Sequence, residues 1–155
     1  MTRFVSFRRS ALALVALSVL GFAGPAPAGP SVPYRESCNG SVAFPSPGVL
    51  TFSGRGVASI MGRYAISGGN QITADGRIIN GTFTSMAADG STISGIYFGT
   101  FRNLPNNLVR FDVTAVWQQG TGRLAGVTGR AAVVAIVNLN NNTFHYDTLG
   151  TWTLP

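Results

Sequence analysis

Residues 108–119, LVRFDVTAVWQQ, alternate between apolar and polar side chains over nearly their whole length. The odd positions hold the apolar members: Val109, Phe111, Val113, Ala115 and Trp117. The even positions hold mostly polar residues, among them Arg110 and Asp112. Successive side chains of a β-strand point to opposite faces of the sheet, so the pattern predicts a strand with one buried face and one face in water.

Residues 143–154, TFHYDTLGTWTL, repeat this pattern with the apolar side chains on the even positions. From residue 49 onward, turn signals separate extended segments of about eight to twelve residues. These signals are Gly68-Gly69-Asn70, Asp75-Gly76, Asp89-Gly90, Pro105-Asn106-Asn107, Gly120-Thr121-Gly122 and Asn140-Asn141-Asn142. The clearest hairpin is predicted for residues 81–101, with its turn at Asp89-Gly90.

Glycines inside the extended segments indicate a sheet that bends sharply. Gly-Thr-aromatic triplets recur at residues 81–83, 99–101 and 150–152, and a glycine within a strand permits the tight bends of a barrel. About eight strands fit into this part of the chain, and eight strands commonly close a barrel. We therefore predict an all-β fold, a single antiparallel β-barrel of about eight strands over residues 49–155. A small β-sandwich is the alternative.

The segment before the predicted barrel is rich in proline. Residues 29–48 contain four prolines, at positions 30, 33, 45 and 47. Because proline cannot donate a hydrogen bond to a neighbouring strand, we predict a lead-in segment here rather than a central strand. Residues 130–139, RAAVVAIVNL, are apolar on both faces. We expect the lead-in segment or a second subunit to cover their outer face.

Residues 1–28 have the layout of a secretory signal. Three arginines lie before residue 10, an uncharged apolar run spans residues 11–23, and Ala26-Pro27-Ala28 forms a small-residue box. An apolar run of this length is too short to cross a bilayer as a helix of the mature protein. We expect a bacterial-type precursor that is cleaved after Ala28, or alternatively after Ala23. The mature protein is then secreted or periplasmic and has no membrane segment.

The composition argues against several functions. Only 10% of the 155 residues are charged, whereas 45% are hydrophobic. All eleven basic residues are arginine, and those after the leader are scattered singly rather than clustered as nucleic-acid binding requires. Without lysine the chain has no G-x-x-x-x-G-K-[ST] phosphate loop, which argues against phosphoryl transfer and dinucleotide chemistry. Cys38 is the only cysteine, so the chain has no internal disulfide.

No pattern in the sequence is typical of catalysis or of metal binding. His145 is the only histidine, and with Asp147 it lies on the strand face opposite Phe144 and Tyr146, which predicts a solvent-exposed pair. A hydrolase also needs a placed nucleophile, and no G-x-S-x-G motif is present. One histidine, one cysteine and five scattered acids do not indicate a metal site. We therefore assign no catalytic residue, metal or cofactor.

Two stretches resemble segments of known barrels. Residues 120–129, GTGRLAGVTG, resemble the G-T-G-x-F-x-G-x-x-G segment of allene oxide cyclase and dirigent-type proteins. Residues 54–64, GRGVASIMGRY, resemble a G-x-G-x-A-T-H-L-G-R-[FY] segment of secreted bacterial proteins of the same barrel type. The resemblance covers residues 49–155 and implies an eight-stranded, calycin-like antiparallel barrel, which is often oligomeric in the plant members.

The chain departs from this family at one informative position. Ile60 stands where the family motif has histidine, and alternation groups Ile60 with Ala58, Tyr64 and Ile66 on the apolar face. We therefore expect the barrel interior to lack the polar group that the family places there. The catalytic polar residues of the plant enzymes have no matching positions in this chain, so the resemblance implies the fold and not the activity.

Aromatic residues are the one group that points to a binding site. The candidates for the lining of a lumen that accepts an apolar small molecule are Tyr64, Tyr97, Phe111, Trp117, Tyr146 and Trp152. A narrow eight-stranded barrel can also be filled by its own side chains, and this is the interpretation we favour.

Three functions stay open at this point. The first is a non-catalytic exported barrel that binds an apolar small molecule or a partner surface. The second is a cyclase- or dirigent-like protein that steers a reactive small substrate by shape. The third is a structural or assembly module. Association into a homo-oligomer is compatible with each of them.

Processing of the leader provides a direct test. Intact-mass spectrometry of the exported protein should find a mature chain that begins at Gly29, or at Gly24 as the second choice, because signal peptidases cut after a small-residue box. A mature species that retains Met1 would contradict export.

Overall fold

A computed structural model describes residues 29–155, where eight strands form a closed barrel. The strands are β1 (Ser31–Ser46), β2 (Val49–Ala58), β3 (Gly62–Ile72), β4 (Arg77–Ala87), β5 (Thr92–Leu104), β6 (Leu108–Gly120), β7 (Thr128–Asn138) and β8 (Thr143–Thr153). Each strand pairs antiparallel with the next one along the chain, and β8 pairs with β1 to complete the ring. The prediction of an all-β, antiparallel barrel of eight strands is confirmed. The predicted signal, residues 1–28, lies outside the described residues.

Residues with positive φ mark the turns between strands. Gly90, in the β4–β5 turn that the sequence predicted, has a φ of 84°. The β5–β6 turn contains Asn106 and Asn107, whose φ values are 63° and 57°. Asparagine tolerates this left-handed region better than most residues do. The short polar turns therefore follow directly from the residues at their tips.

Residues 29–48 do not form a lead-in segment, and this prediction is wrong: most of them form β1. Pro33 has only one strand beside it, because β1 pairs with β8 along this stretch and with β2 only from Glu36 onward. Pro45 lies where the register between β1 and β2 shifts. Proline is tolerated at strand edges and bulges, and these two residues occupy such positions.

Gly68-Gly69-Asn70 is not a turn, as the sequence suggested, but lies inside β3. The β3–β4 turn contains Asp75-Gly76 instead. Gly68 lies directly opposite Phe52 of β2, and a Cβ atom on Gly68 would come within 2.7 Å of the Phe52 ring. The glycine is therefore required by side-chain packing and not by a reversal of the chain, and Asn70 is buried in the barrel interior.

Inward glycines face aromatic rings across the sheet, and we call these the glycine–aromatic pairs. They include Gly40–Phe144, Gly56–Tyr64, Gly68–Phe52, Gly81–Tyr97, Gly95–Phe83 and Gly129–Trp152. A Cβ atom on Gly81 would lie 2.8 Å from Cγ of Tyr97, and one on Gly95 would lie 2.9 Å from Cζ of Phe83. Such separations are shorter than van der Waals contact, so the rings occupy space that only a glycine leaves free.

A β-bulge in β4 changes which of its residues face inward. Ile78 pairs with Gly99 and Gly81 pairs with Tyr97, so β4 has one residue more than β5 over this stretch. Asn80 lies in the bulge with a φ of 52°. Buried positions are even-numbered before the bulge and odd-numbered after it. Bulges of this kind redirect side chains and increase the local twist.

The segment between β6 and β7 closes one end of the barrel. It contains a single 3₁₀ turn, Gly122–Leu124, and Leu124 is 1% exposed. Arg123 fastens the segment to the β2–β3 turn, since its Nη1 and Nη2 donate to the carbonyl oxygens of Ile60 and Met61 at 2.9 Å and 2.7 Å. We call the half of the barrel beneath this segment the closed half. Within residues 29–155, no helix is long and apolar enough to cross a membrane.

Ile60 does not lie on a continuous inward strand, contrary to expectation. β2 ends at Ala58 and β3 begins at Gly62, so Ile60 belongs to the turn between them. Its side chain is half-buried against the core at the closed end. The presence or absence of a polar group in the interior is therefore not decided at this position.

Large aromatic rings fill the closed half. The rings of Tyr34 and Trp152 stack with their centroids 4.2 Å apart, and Trp117 meets Trp152 edge-on at 5.5 Å. Trp152 has no exposed surface. This half of the barrel is filled by its own side chains, as expected for a narrow barrel.

The outer face of β7 is not covered by the N-terminal segment, contrary to one of the two expectations. That segment is β1, which lies between β2 and β8 in the sheet. Val134 of β7 is 38% exposed, the neighbouring strand β8 adds the exposed side chain of Leu149, and Phe98 of β5 is exposed on the far side of β6. Cover by a second subunit stays a prediction.

Replacement of Trp152 and of His145 by alanine tests the orientation of β8. Trp152→Ala should lower the free energy of unfolding by about 3–5 kcal/mol, because it leaves a large cavity in the closed half. His145→Ala should change it by no more than about 0.5 kcal/mol, because this side chain faces outward. Denaturant midpoints of the two variants measure both effects, and the reverse ranking would contradict the register.

Candidate functional site

A cavity of about 90 Å³ lies inside the barrel, beyond the closed half and towards the β1–β2 and β7–β8 turns. Its wall is mostly apolar and is formed by every strand of the barrel, with Leu50, Ile66, Phe83, Val113, Ala115, Val133, Ala135 and Val137 among the lining residues. The small side chains in the wall lie side by side on two neighbouring strands, Val113 and Ala115 on β6 and Val133, Ala135 and Val137 on β7, and they leave this space open. Four polar residues, Glu36, Asn70, Tyr97 and Tyr146, also reach the cavity wall.

Glu36 brings a carboxyl group into the barrel interior. It lies on β1 between the buried residues Tyr34 and Cys38. The Tyr34 hydroxyl donates to Oε2 at 2.6 Å, and the Thr148 hydroxyl donates to Oε1 at 3.1 Å. Burial raises the pKa of Glu36 above its ordinary value, although these hydrogen bonds act in the opposite direction. The interior therefore does contain an ionisable group, although the histidine that the resemblance implied at position 60 is replaced by isoleucine.

Tyrosine hydroxyls surround this carboxyl group. The hydroxyl oxygens of Tyr64 and Tyr146 lie 3.0 Å apart, within hydrogen-bonding distance. Burial raises the pKa of Tyr34, Tyr64 and Tyr146, so these phenols stay protonated at ordinary pH. The cluster thus consists of neutral donors around one carboxyl group.

Cys38 is buried beside the same cluster. Burial raises the pKa of its thiol to about 11. Because the thiolate is the nucleophilic form, this cysteine is unreactive near neutral pH. It packs as a small apolar side chain in the interior, next to the ring of Phe144 and the backbone of Gly54.

Asn70 carries a polar atom without a partner. The Tyr97 hydroxyl donates to Oδ1 of Asn70 at 2.8 Å. Nδ2 of Asn70 is fully buried and has no acceptor among the described residues. The side chain is 5% exposed and forms part of the cavity wall. An unpaired buried amide costs stability, so this arrangement calls for an explanation beyond folding.

The six aromatic residues proposed from the sequence as lumen lining divide into two groups. The cavity wall includes four of them: Tyr97, Phe111, Trp117 and Tyr146. Tyr64 faces inward and contacts the Glu36 cluster, whereas Trp152 lies in the stack that fills the closed half. Their role in binding a ligand stays a prediction.

The His145–Asp147 pair lies on the outer surface, away from the cavity. Nε2 of His145 is 3.2 Å from Oδ2 of Asp147, and Nδ1 of His145 is 3.0 Å from Oδ1 of Asn39. Both side chains are exposed. In the part of the chain that the structure describes, no group of three or more histidine, cysteine, aspartate or glutamate residues is placed to hold a metal ion.

Sequence reasoning missed Glu36 and Asn70, and for different reasons. The even positions of residues 32–42 alternate inward, and this alternation would have placed Glu36 inside had the prolines not suggested a lead-in segment. The inward position of Asn70 was not predicted, because Gly68-Gly69-Asn70 is typical of a turn. The inward alternation of Tyr64 and Ile66 was the available signal for Asn70.

Replacement of Glu36 by glutamine tests the buried carboxyl group. The folded protein holds this proton more tightly than the unfolded chain does, whose ordinary pKa is 4.5. The stability that the protonated group contributes is present below that pKa and is lost as the pH rises through the raised pKa. Relative to Glu36→Gln, the wild type should therefore lose up to about 1.4 kcal/mol for each pH unit within this window. Urea midpoints of both proteins at stepped pH measure the difference; parallel curves above pH 4.5 would contradict a raised pKa.

Comparison with known proteins gives no further guide to this site. No family model, no curated protein and no solved structure matches the chain. The resemblance to allene oxide cyclase and dirigent-type barrels thus stays a prediction. The cavity and the groups in its wall are the features that point to a function.

Proposed function

We propose that this barrel binds a small apolar molecule in its interior and catalyses no reaction. The observation that carries the proposal is the cavity of about 90 Å³, with its largely apolar and aromatic wall and a few polar groups. Pockets for small molecules commonly combine an apolar wall with a small number of placed polar groups. A filled core would instead bring side chains together across this space.

The volume of the cavity suits a ligand of a few non-hydrogen atoms. An apolar protein cavity of about 150 Å³ holds benzene. The present cavity is smaller, so a ring of four or five atoms is a suitable occupant without rearrangement.

The place of action follows from the leader. Residues 1–28 have the layout of a secretory signal, and we propose that the mature barrel binds its ligand outside the cytoplasm. A site there draws on molecules in the surroundings of the cell rather than on nucleotides held inside it.

A cyclase- or dirigent-like activity is a second candidate, and Glu36 is the observation that favours it. Its carboxyl group lies in the cavity wall beside an apolar space, and burial raises its pKa, which favours the protonated form. A carboxylic acid in that position is able to donate a proton to a bound reactive molecule. Recovery of every bound probe unchanged after prolonged incubation would argue for binding alone.

Filling the cavity with a larger side chain tests the binding proposal. Ala135 of β7 lines the cavity, and Ala135→Leu adds three carbon atoms within it. Titration of the wild type with methylenecyclobutane, a small hydrocarbon, should shift the NMR resonances of Trp117 and of the neighbouring valines. In Ala135→Leu these shifts should fall by about tenfold or more at the same probe concentration, because the space is occupied.

Ala132→Leu is the matched control, since Ala132 lies on the same strand but is exposed on the outer face. It should bind the hydrocarbon as the wild type does. Shifts of equal size in the two variants would mean that the probe binds elsewhere, and would contradict the proposed site.

A further inference from the structure

The side chain of Asn70 places an unpaired hydrogen-bond donor in the wall of the cavity. The Tyr97 hydroxyl donates to Oδ1 at 2.8 Å, which leaves Nδ2 as the free atom of the amide. Nδ2 is buried in the cavity wall, and no residue of the described chain accepts its hydrogen bond. A ligand with an acceptor atom is able to pair this donor.

We propose that the ligand is a small neutral molecule with one hydrogen-bond acceptor oxygen, such as a ketone, aldehyde or ether, and that Nδ2 of Asn70 donates to that oxygen. The inference rests on the proposed function and specifies the class of molecule that the cavity takes. The apolar wall contacts the hydrocarbon part of the ligand, and Asn70 contacts the oxygen.

The charges around the cavity favour a neutral ligand. Among residues 29–155 no arginine lines the cavity, so a carboxylate or phosphate would be buried there without a positive partner. A cation would have only Glu36 to meet it. The two oxygens of Glu36 already accept hydrogen bonds from Tyr34 and Thr148, and burial favours the uncharged form of the carboxyl group. A neutral acceptor avoids both difficulties.

The donor is held in place by the packing behind it. Tyr97, which orients Asn70, forms a glycine–aromatic pair with Gly81. A Cβ atom on Gly81 would lie 2.8 Å from Cγ of Tyr97, so the ring is able to lie here only because the residue is glycine. The bulge at Asn80 brings Gly81 to an inward position. Sites that select a ligand by a hydrogen bond depend on this kind of prior ordering.

Selectivity follows from what each ligand leaves unpaired. A ketone oxygen accepts the hydrogen bond of Nδ2, whereas a hydrocarbon of the same shape leaves this donor unpaired. The hydrocarbon is easier to remove from water, so a purely apolar cavity would prefer it. Asn70 should therefore shift the preference towards the ketone relative to a cavity without the donor.

A matched pair of probes measures this shift. Cyclobutanone and methylenecyclobutane have nearly the same shape and differ in an oxygen against a CH₂ group. Dissociation constants for both are measured by NMR titration of the wild type and of the double variant Asn70→Leu/Tyr97→Phe. The double variant removes the donor together with the hydroxyl that would otherwise lose its acceptor. The ratio of the ketone constant to the hydrocarbon constant should be about tenfold or more higher in the variant.

Two further variants serve as controls for the role of Asn70. Ser67→Leu places a leucine on the exposed face of β3 and should keep the wild-type ratio. The Tyr97→Phe single variant keeps Asn70 but releases its amide, and its ratio should lie between those of the wild type and the double variant.

Each outcome bears on one proposal or the other. An unchanged ratio in the double variant, with both probes still bound in the cavity, would overturn the role of Asn70 and leave the proposed function standing. Failure of the wild type to bind either probe would overturn the proposed function itself. Because the comparison uses a ratio within each protein, a general change in stability or cavity shape does not mimic the effect.

Discussion

The fixed width of an eight-stranded barrel is the constraint on which the rest of this structure depends. Every inward side chain must fit within the same narrow cylinder, so large and small residues must alternate across neighbouring strands. The glycine–aromatic pairs are the solution found in this chain: each ring lies over the backbone of a glycine on the next strand. Where small side chains on neighbouring strands face one another, the interior is not filled. Alanines and valines on the inner faces of β6 and β7 leave the cavity.

The same constraint explains why the polar groups of the interior lie where they do. In the closed half, the rings of Trp152, Tyr34 and Trp117 pack directly against one another. Glu36 lies beyond them at the cavity wall, where Tyr34 and Thr148 serve its two oxygens. A buried carboxyl group needs such partners, because its hydration is lost. The aromatic packing thus also supplies the donors that make the carboxyl group tolerable.

Much of the fold could be predicted from the sequence, because a strand with one face in water has alternating apolar and polar side chains. Residues 108–119 and 143–154 show this alternation, and the turn at Asp89-Gly90 follows from the residues at its tip. Whether a given glycine or proline lies in a strand or in a turn could not be predicted in the same way. A glycine within a strand and a glycine in a turn look alike in sequence, and the ring that distinguishes Gly68 lies on another strand, at Phe52.

The candidate site was missed because it depends on those same ambiguous residues. Asn70 follows a glycine pair that mimics a turn, and Glu36 stands among prolines that mimic a linker. A bulge at Asn80 then shifts the inward positions of β4 by one residue, which no periodic pattern anticipates. In each of these cases the direction of the side chain depends on pairing with a strand that is not adjacent in the local sequence pattern. The local pattern therefore predicts the barrel fold more readily than it predicts which groups lie inside the barrel.

An empty space and an unpaired donor both act against stability, and their coincidence is the strongest argument for a ligand. A cavity forgoes the dispersion contacts that a filled core would make. A buried amide without an acceptor adds the cost of its lost hydration. A larger residue at Ala135 or an apolar one at Asn70 would remove either cost within the same backbone, and both residues belong to one wall. Functional sites typically combine imperfect packing with unpaired hydrogen-bonding groups at one place. A molecule that fills the space and accepts the hydrogen bond would remove both costs together.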